Sequence, residues 1–448
     1  MRAMRITGFR STAFVTSLVL GVASAGAVAR ADVSPINPNN RPTPLVGVAN
    51  GQVPMSRLVH VAPNCIAARA AGPSLARIFA MAREARVGLG ADQCYRPLSQ
   101  EVQFADQANQ PGNNPACVAT VGRSASGAPV GHSNHGWGKA VDLTDGAGNS
   151  LTFASPGYAF MKQVAGSLGW NHPAFAEPGG STCPEPWHWE WVGDGGTLGA
   201  SPRPGDAVAL LPSANDAGYA VVDGLGGLAP HGNFVNRGSA ATTLISWVIV
   251  GASGTRDRGG YWMVGADGGV FTFGDAHFYG STGALHLKQP VNAIAPTRSG
   301  KGYWLLAWDG GVFAFGDAHF YGSTGAIHLN APVDGMAPTP TGSGYWLVAS
   351  DGGIFSFGDA HFYGSTGNIH LNSPIVAIAP TKTGKGYWMV ASDGGIFSFG
   401  DARFHGSLAP FHLLSPTVSI VPSRTGKGYW LTTADGRVYG FGDAHPEP

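Results

Sequence analysis

Apolar side chains follow two rhythms along this chain, and the rhythm changes near Gly199. In the first half Leu75, Ile78, Phe79, Ala82 and Ala85 recur at helical spacing opposite Arg77, Arg83 and Glu84, which predicts an amphipathic helix over 73–86. Pro73 suits its first turn, and Gly88 lies just past its end. A second helix is predicted over 158–168. Between the helices the alternation has a period of two: Trp187, Trp189 and Trp191 against His188 and Glu190, and Val141 and Leu143 against Ala140 and Asp142. Pro186 is expected to hold the chain extended ahead of the first of these strands. Short strands among helices imply an α+β domain with a small sheet.

Beyond Gly199 the pattern becomes periodic. Gly-Tyr-Trp begins at Gly260, Gly302, Gly344, Gly386 and Gly428, each 42 residues after the last, and a worn copy begins at Gly218. Each unit carries an apolar run, the Gly-Tyr-Trp strand, an Asp-Gly turn and a further strand before Phe-Gly-Asp-Ala. Several short strands per period of about 40 residues imply an all-β repeat domain, a β-propeller of about six blades, with an open solenoid as the competing architecture. In a propeller, ring closure shared between the two chain ends would explain why the last unit stops at Pro448. Tyr345, Trp346 and their copies are expected in the core between blades rather than stacked on sugars. His277, His319 and His361 stand in register with Arg403, which argues against a metal role. Asp275, Asp317, Asp359 and Asp401 read as turn formers.

Composition narrows the function classes. Charged residues are only 12% and balance at +0, so no basic excess points to nucleic acid or an anionic membrane. Arg2, Arg5 and Arg10 precede an apolar run ending in small residues, which reads as a signal peptide over 1–31 and an exported, secreted or wall-associated protein with no lasting membrane span. Residues 32–56 read as a linker, 57–199 as the α+β domain and 206–448 as the repeats. Cys65, Cys94, Cys117 and Cys183 all fall in the α+β domain and are expected to form two disulfides, with three pairings open.

The chemistry concentrates in Ser133-Asn134-His135-Gly136-Trp137-Gly138-Lys139-Ala140-Val141-Asp142 and Glu185-Pro186-Trp187-His188. A catalytic zinc takes three protein ligands and keeps a fourth position for water, so His135, Asp142 and His188 suffice for one ion. Glu185 is then free to act as general base. His132 and His172 read as loop residues at the rim.

These strings resemble the LAS-type zinc peptidases, and the VanY-type D-alanyl-D-alanine carboxypeptidases in particular, with Ser133, His135, Gly138, Ala140, Asp142, Glu185 and His188 filling the signature positions. The resemblance spans roughly residues 60 to 195 and implies His135, Asp142 and His188 as zinc ligands and Glu185 as base. It also implies a substrate-binding and catalytic Arg96 in Tyr95-Arg96, although Pro97 stands where a serine is usual and Cys94 where a glycine is common. Ser133 is implied as a contact to the substrate carboxylate. The substrate would be the peptide of peptidoglycan. An endopeptidase cutting L-alanyl-D-glutamate or cross-bridge bonds is an alternative, as is a non-catalytic protein with a structural zinc whose repeats bind wall glycan or a surface partner.

Overall fold

The computed structural model of the protein describes residues 42, 44–108, 133–179, 184–193 and 207–445 except 244, 412 and 414. Residues 1–31, read as a signal peptide, and His132, Cys117 and Cys183 lie outside the described residues. Among the described residues, no helix is long and apolar enough to cross a membrane.

The first half is built on a hairpin and a sheet. Strands β1 (Leu58–Ala62) and β2 (Cys65–Ala68) pair antiparallel and lead into helix α1 (Gly72–Glu84). A four-stranded antiparallel sheet follows in the order β3 (Gly90–Gln93), β4 (Ala140–Thr144), β6 (His188–Trp191), β5 (Trp170–Asn171). Helices α2 (Leu98–Ala108) and α3 (Pro156–Val164) complete it. Leu75, Ile78 and Phe79 of α1 bury with Val141, Leu143, Trp170, Trp189 and Trp191 of the sheet, so the apolar halves of both alternations meet in one core. Their polar halves are left facing the other way.

Several expectations need correction. Helix α1 stops at Glu84, and Ala85 is exposed rather than part of the apolar face. The left-handed residue that ends the helix is Arg86 (φ 56°), across which Val87 N–H donates to Ala82 O at 2.8 Å. Gly88 instead permits a close approach, since a Cβ there would sit 2.6 Å from the backbone nitrogen of Gly146. The second helix gives way after Val164 to a 3-10 turn, Ala165–Leu168. The end of the stretch read as a linker is not one, because Asn50, Gly51 and Val53 are buried against the sheet domain. Gly51 N–H donates to Gly136 O and Gly51 O accepts from Leu98 N–H, at 2.9 and 2.8 Å.

The second half contains six three-stranded antiparallel sheets, each made from one contiguous repeat. Numbered as blades 1 to 6, their inner strands are 207–212, 249–254, 291–296, 333–338, 375–380 and 417–422. One hydrogen bond recurs between neighbouring blades: Ile249 N–H to Gly224 O, Val291 to Ala266, Val333 to Trp308, Ile375 to Ser350 and Thr417 to Ser392, at 2.8–2.9 Å. The sixth member runs from Ala207 N–H in blade 1 to Ala434 O in blade 6 at 2.8 Å, and Ala207, Leu210, Tyr219 and Val221 pack on Trp430 and Ala444. The ring therefore closes in a propeller-like manner by packing and this backbone bond, with no sheet shared between the chain ends. An open solenoid is excluded.

Blade cohesion comes from the motif aromatics. Tyr303, Tyr345, Tyr387 and Tyr429 are fully buried, and their hydroxyls donate to Gly280, Gly322, Gly364 and Gly406 carbonyls at 2.6 Å. Trp304, Trp346 and Trp388 donate their indole N–H to the carbonyls of His319, His361 and Arg403, which explains why arginine is accepted in that register: the backbone does the work. Asp359 and Asp401 accept from pairs of threonine hydroxyls, Thr339 with Thr341 and Thr381 with Thr383, and so tie one turn to another.

Candidate metal centre and active site

Strands β4 and β6 bring the two motif strings together, with Asp142 directly opposite His188 in the register. The third imidazole arrives from a short 3-10 turn, Asn134–Trp137, that delivers the chain into β4. Ser133 caps this turn, its Oγ accepting from His135 N–H at 3.2 Å, and Gly138 ends it in the left-handed region (φ 67°). Gly136 has no room for a side chain, since a Cβ would sit 2.0 Å from Asn50 Oδ1. The local glycines are thus there for turn geometry and close packing.

Three potential ligand atoms converge. His135 Nε2 lies 3.2 Å from Asp142 Oδ1 and 3.2 Å from His188 Nδ1, and the last two are 2.9 Å apart. In a tetrahedral site with bonds of about 2.0 Å, ligand atoms are about 3.3 Å apart, so this triangle fits one face of the coordination shell of a small divalent ion. Each imidazole is also oriented from behind. Carbonyls and carboxylates only accept, so His135 Nδ1–H donates to Cys94 O at 2.8 Å and His188 Nε2–H to Glu190 Oε1 at 3.2 Å. Both rings therefore turn a lone pair toward the same point. Asn134 Nδ2 donates to Glu190 Oε1 at 2.8 Å and holds that carboxylate in place.

The electrostatics of the three groups are strongly interdependent. Burial alone would raise the Asp142 carboxyl, but His135 and His188 hold it far below the usual range by charge and hydrogen bonding. Burial lowers His135. Burial also opposes a charged His188, yet its bonds to Asp142 and Glu190 overcome this and raise it to about 10. Without metal, a proton on His188 thus neutralises part of the buried negative charge.

Arg96 lies at the edge of this cluster and is buried, with its Nη2 3.5 Å from Asp142 Oδ2 and its Nε donating to Gln93 Oε1 at 3.0 Å. Burial pulls the guanidinium below its ordinary value, while Asp142, Glu101, Glu185 and Asp92 oppose the shift; it remains a cation. The Cys65–Cys94 disulfide staples the segment before Arg96 to β2. Cys94 therefore serves two ends: its sulfur fixes the strand, and its carbonyl orients His135.

Glu185 is half-buried and outside the three-ligand cluster. Pro186 does not extend the chain here. His188 N–H donates to Glu185 O at 3.0 Å, which makes Glu185–His188 a β-turn with proline at its second position. Proline's fixed φ suits that place, so the glutamate and the histidine are held one turn apart. His172, expected at the rim, is buried: its Nε2–H donates to Glu185 O at 3.0 Å, and its Nδ1 lies 3.0 Å from Glu177 Oε1. Glu177 in turn accepts from Lys162 and Tyr158. Glu190, Asn50 and His172 were not singled out as site residues from sequence. Glu190 had a readable signal, the shared strand face with His188; His172 acts on the turn only through folding.

No curated protein matches the chain. Solved structures similar to it include the β-propeller domain of Cps50 (Swd1) from Myceliophteria thermophila, 12% identical with a TM-score of 0.39, over 55% of this chain and 85% of that one. A Bacteroides thetaiotaomicron structural-genomics protein of unknown function is 11% identical with a TM-score of 0.39, over 54% of this chain and 70% of that one. Residues 66–194 match the VanY family, D-alanyl-D-alanine carboxypeptidase, a span holding Arg96, His135, Asp142, Glu185 and His188, which supports a peptidase of that family in this half of the chain.

Proposed function

We propose that the protein is an exported zinc-dependent carboxypeptidase that removes a terminal D-alanine from the stem peptide of peptidoglycan. The observation that carries this reading is the convergence of His135 Nε2, Asp142 Oδ1 and His188 Nδ1 beside the buried Arg96 guanidinium. A zinc ion held by those three atoms would supply a water of lowered pKa and polarise the scissile carbonyl.

The chain's own residues do the rest. Glu185 takes one proton from the attacking water and returns it to the departing amine, so water adds across the amide and no other reactant is needed. Arg96 pairs with the substrate's terminal carboxylate through its planar donors, and the Ser133 hydroxyl donates to the same group. A cation at this place favours an exopeptidase, because a terminal carboxylate entering beside Asp142 and Glu185 would otherwise meet like charge. His172 and Glu177 keep the Glu185 turn in position.

The test is direct. Zinc-loaded protein is incubated with a peptide ending in D-Ala-D-Ala and with wall fragments, with and without chelator, and again as Glu185→Ala. Free D-alanine from wild type, lost on chelation and reduced about 10²–10⁴-fold in Glu185→Ala with zinc retained, is the expected result. New internal amine ends without D-alanine would replace this reading with an endopeptidase. Wall binding with no product would replace it with a binding protein.

A further inference from the structure

The repeat domain breaks its own 42-residue register at a few places, and these lie together. The second residue of the inner strand is Val208, Val250, Val376 and Val418 in four blades but Asn292 and Asp334 in blades 3 and 4. At another position Gly224, Ala266, Ser350, Ser392 and Ala434 are small, whereas blade 3 has Trp308. Trp247 stands where later repeats have Gln289, Ala331, Ser373 and Ser415. Trp247 and Trp308 are the repeat-region tryptophans outside the Gly-Tyr-Trp strings.

Three of the departures face the peptidase half, whereas the Asn292 amide binds within the ring, its Nδ2 donating to Val333 O at 2.7 Å. The Arg83 guanidinium of α1 lies over the Trp308 ring, 5.3 Å from its centroid. Trp247 stacks on His60 of β1 at 5.2 Å and 19°, and the backbones join there, with His60 N–H donating to Ser246 O at 2.8 Å. Asn292, Trp308 and Asp334 line the mouth of the central channel together with Pro73, Ala76 and Arg77 of α1. Beside them Arg86 pairs with Asp351 at 3.0 Å. The arginine side of α1 is thus turned to the ring.

We propose that Trp247, Trp308 and Asp334 form a docking face for the chain's own peptidase domain, making the ring a scaffold that holds β1 and α1. The other blades form without an aromatic or acidic residue at these positions, so blade packing does not call for them. Stacking, cation–π contact and a carboxylate near arginine do suit a helix carrying Arg77, Arg83 and Arg86. Helix α1 occupies the channel mouth, so a ligand of the ring must bind on another surface. Because α1 shares its core with β4 and β6, the scaffold also bears on the strands that carry Asp142 and His188.

The test uses the full chain and needs no catalysis. A variant combining Trp247→Ser, Trp308→Ser and Asp334→Val returns these positions to the register of the other repeats. Hydrogen–deuterium exchange is followed at 58–62, 72–84 and the blade strands, with Arg83→Gln as a second variant that leaves the ring untouched. Exchange in β1 and α1 should quicken about tenfold in the register variant, and less in Arg83→Gln, while the blade strands keep their protection. Unchanged exchange in β1 and α1 in both variants overturns the proposal. Loss of protection in the blade strands of the register variant overturns it as well, since those residues would then serve the ring itself.

Discussion

The two halves of this protein bury different things. The ring buries tyrosine and tryptophan in register, each polar tip answered by a backbone carbonyl, while the sheet domain gathers two imidazoles, two carboxylates and a guanidinium, all buried except the half-buried Asp142. Neutral donors paired with carbonyls cost little once satisfied, so repetition there stabilises a scaffold. Clustered ionisable groups remain costly unless a ligand or cation completes them, which marks a candidate site rather than a scaffold.

The contrast can be tested from its strongest side. Trp346→Ala in the ring should destabilise the protein by about 3–5 kcal/mol, through the cavity and the stranded His361 carbonyl, read by chemical denaturation, with no change in metal binding. A loss below about 1 kcal/mol would deny the aromatics their structural role. Glu190→Gln, by contrast, should weaken zinc about 10–100-fold, measured by competition with a chromogenic chelator, because it no longer fixes the His188 ring as an anion. An effect on stability alone would make Glu190 a core residue like any other.

Acid gives a graded effect. His188 is raised to about 10 without metal, so below that pH its proton must leave before zinc binds. Zinc affinity should therefore fall about tenfold per unit as pH drops from 8 to 6, with about one proton released on binding, as calorimetry in two buffers would report. A flat profile would mean that the imidazole is already neutral. The smallest effect belongs to the rim. Phe278, Phe320, Phe362 and Phe404 recur in register yet are more than half exposed, and Phe362→Ser should change stability by no more than about 0.5 kcal/mol. A larger loss would show that repetition in this ring always marks packing.

Much of this was legible because it depends on local order. The 42-residue spacing, the turn signals and the buried Tyr-Trp strands follow from side-chain alternation within each repeat, and the candidate ligands follow from residue types in the two motif strings. Asn50, Gly51 and Val53 were hidden by a stretch rich in proline and asparagine, since their burial depends on contacts with Gly136 and Leu98 far along the chain. Pro186 was misread because proline suits both an extended strand and the second place of a turn; the bond from His188 N–H to Glu185 O decides between them.

Sequence by itself determined the two rhythms, the repeat number and the candidate ligands His135, Asp142 and His188, because each depends on spacing along the backbone and on side-chain chemistry. Tertiary structure alone decided that three ligand atoms share one point, that Glu190 and the Cys94 carbonyl aim the imidazoles, that the ring closes, and that α1 turns its arginines to the ring. Those outcomes rest on distances between residues remote in the chain, which no local pattern encodes.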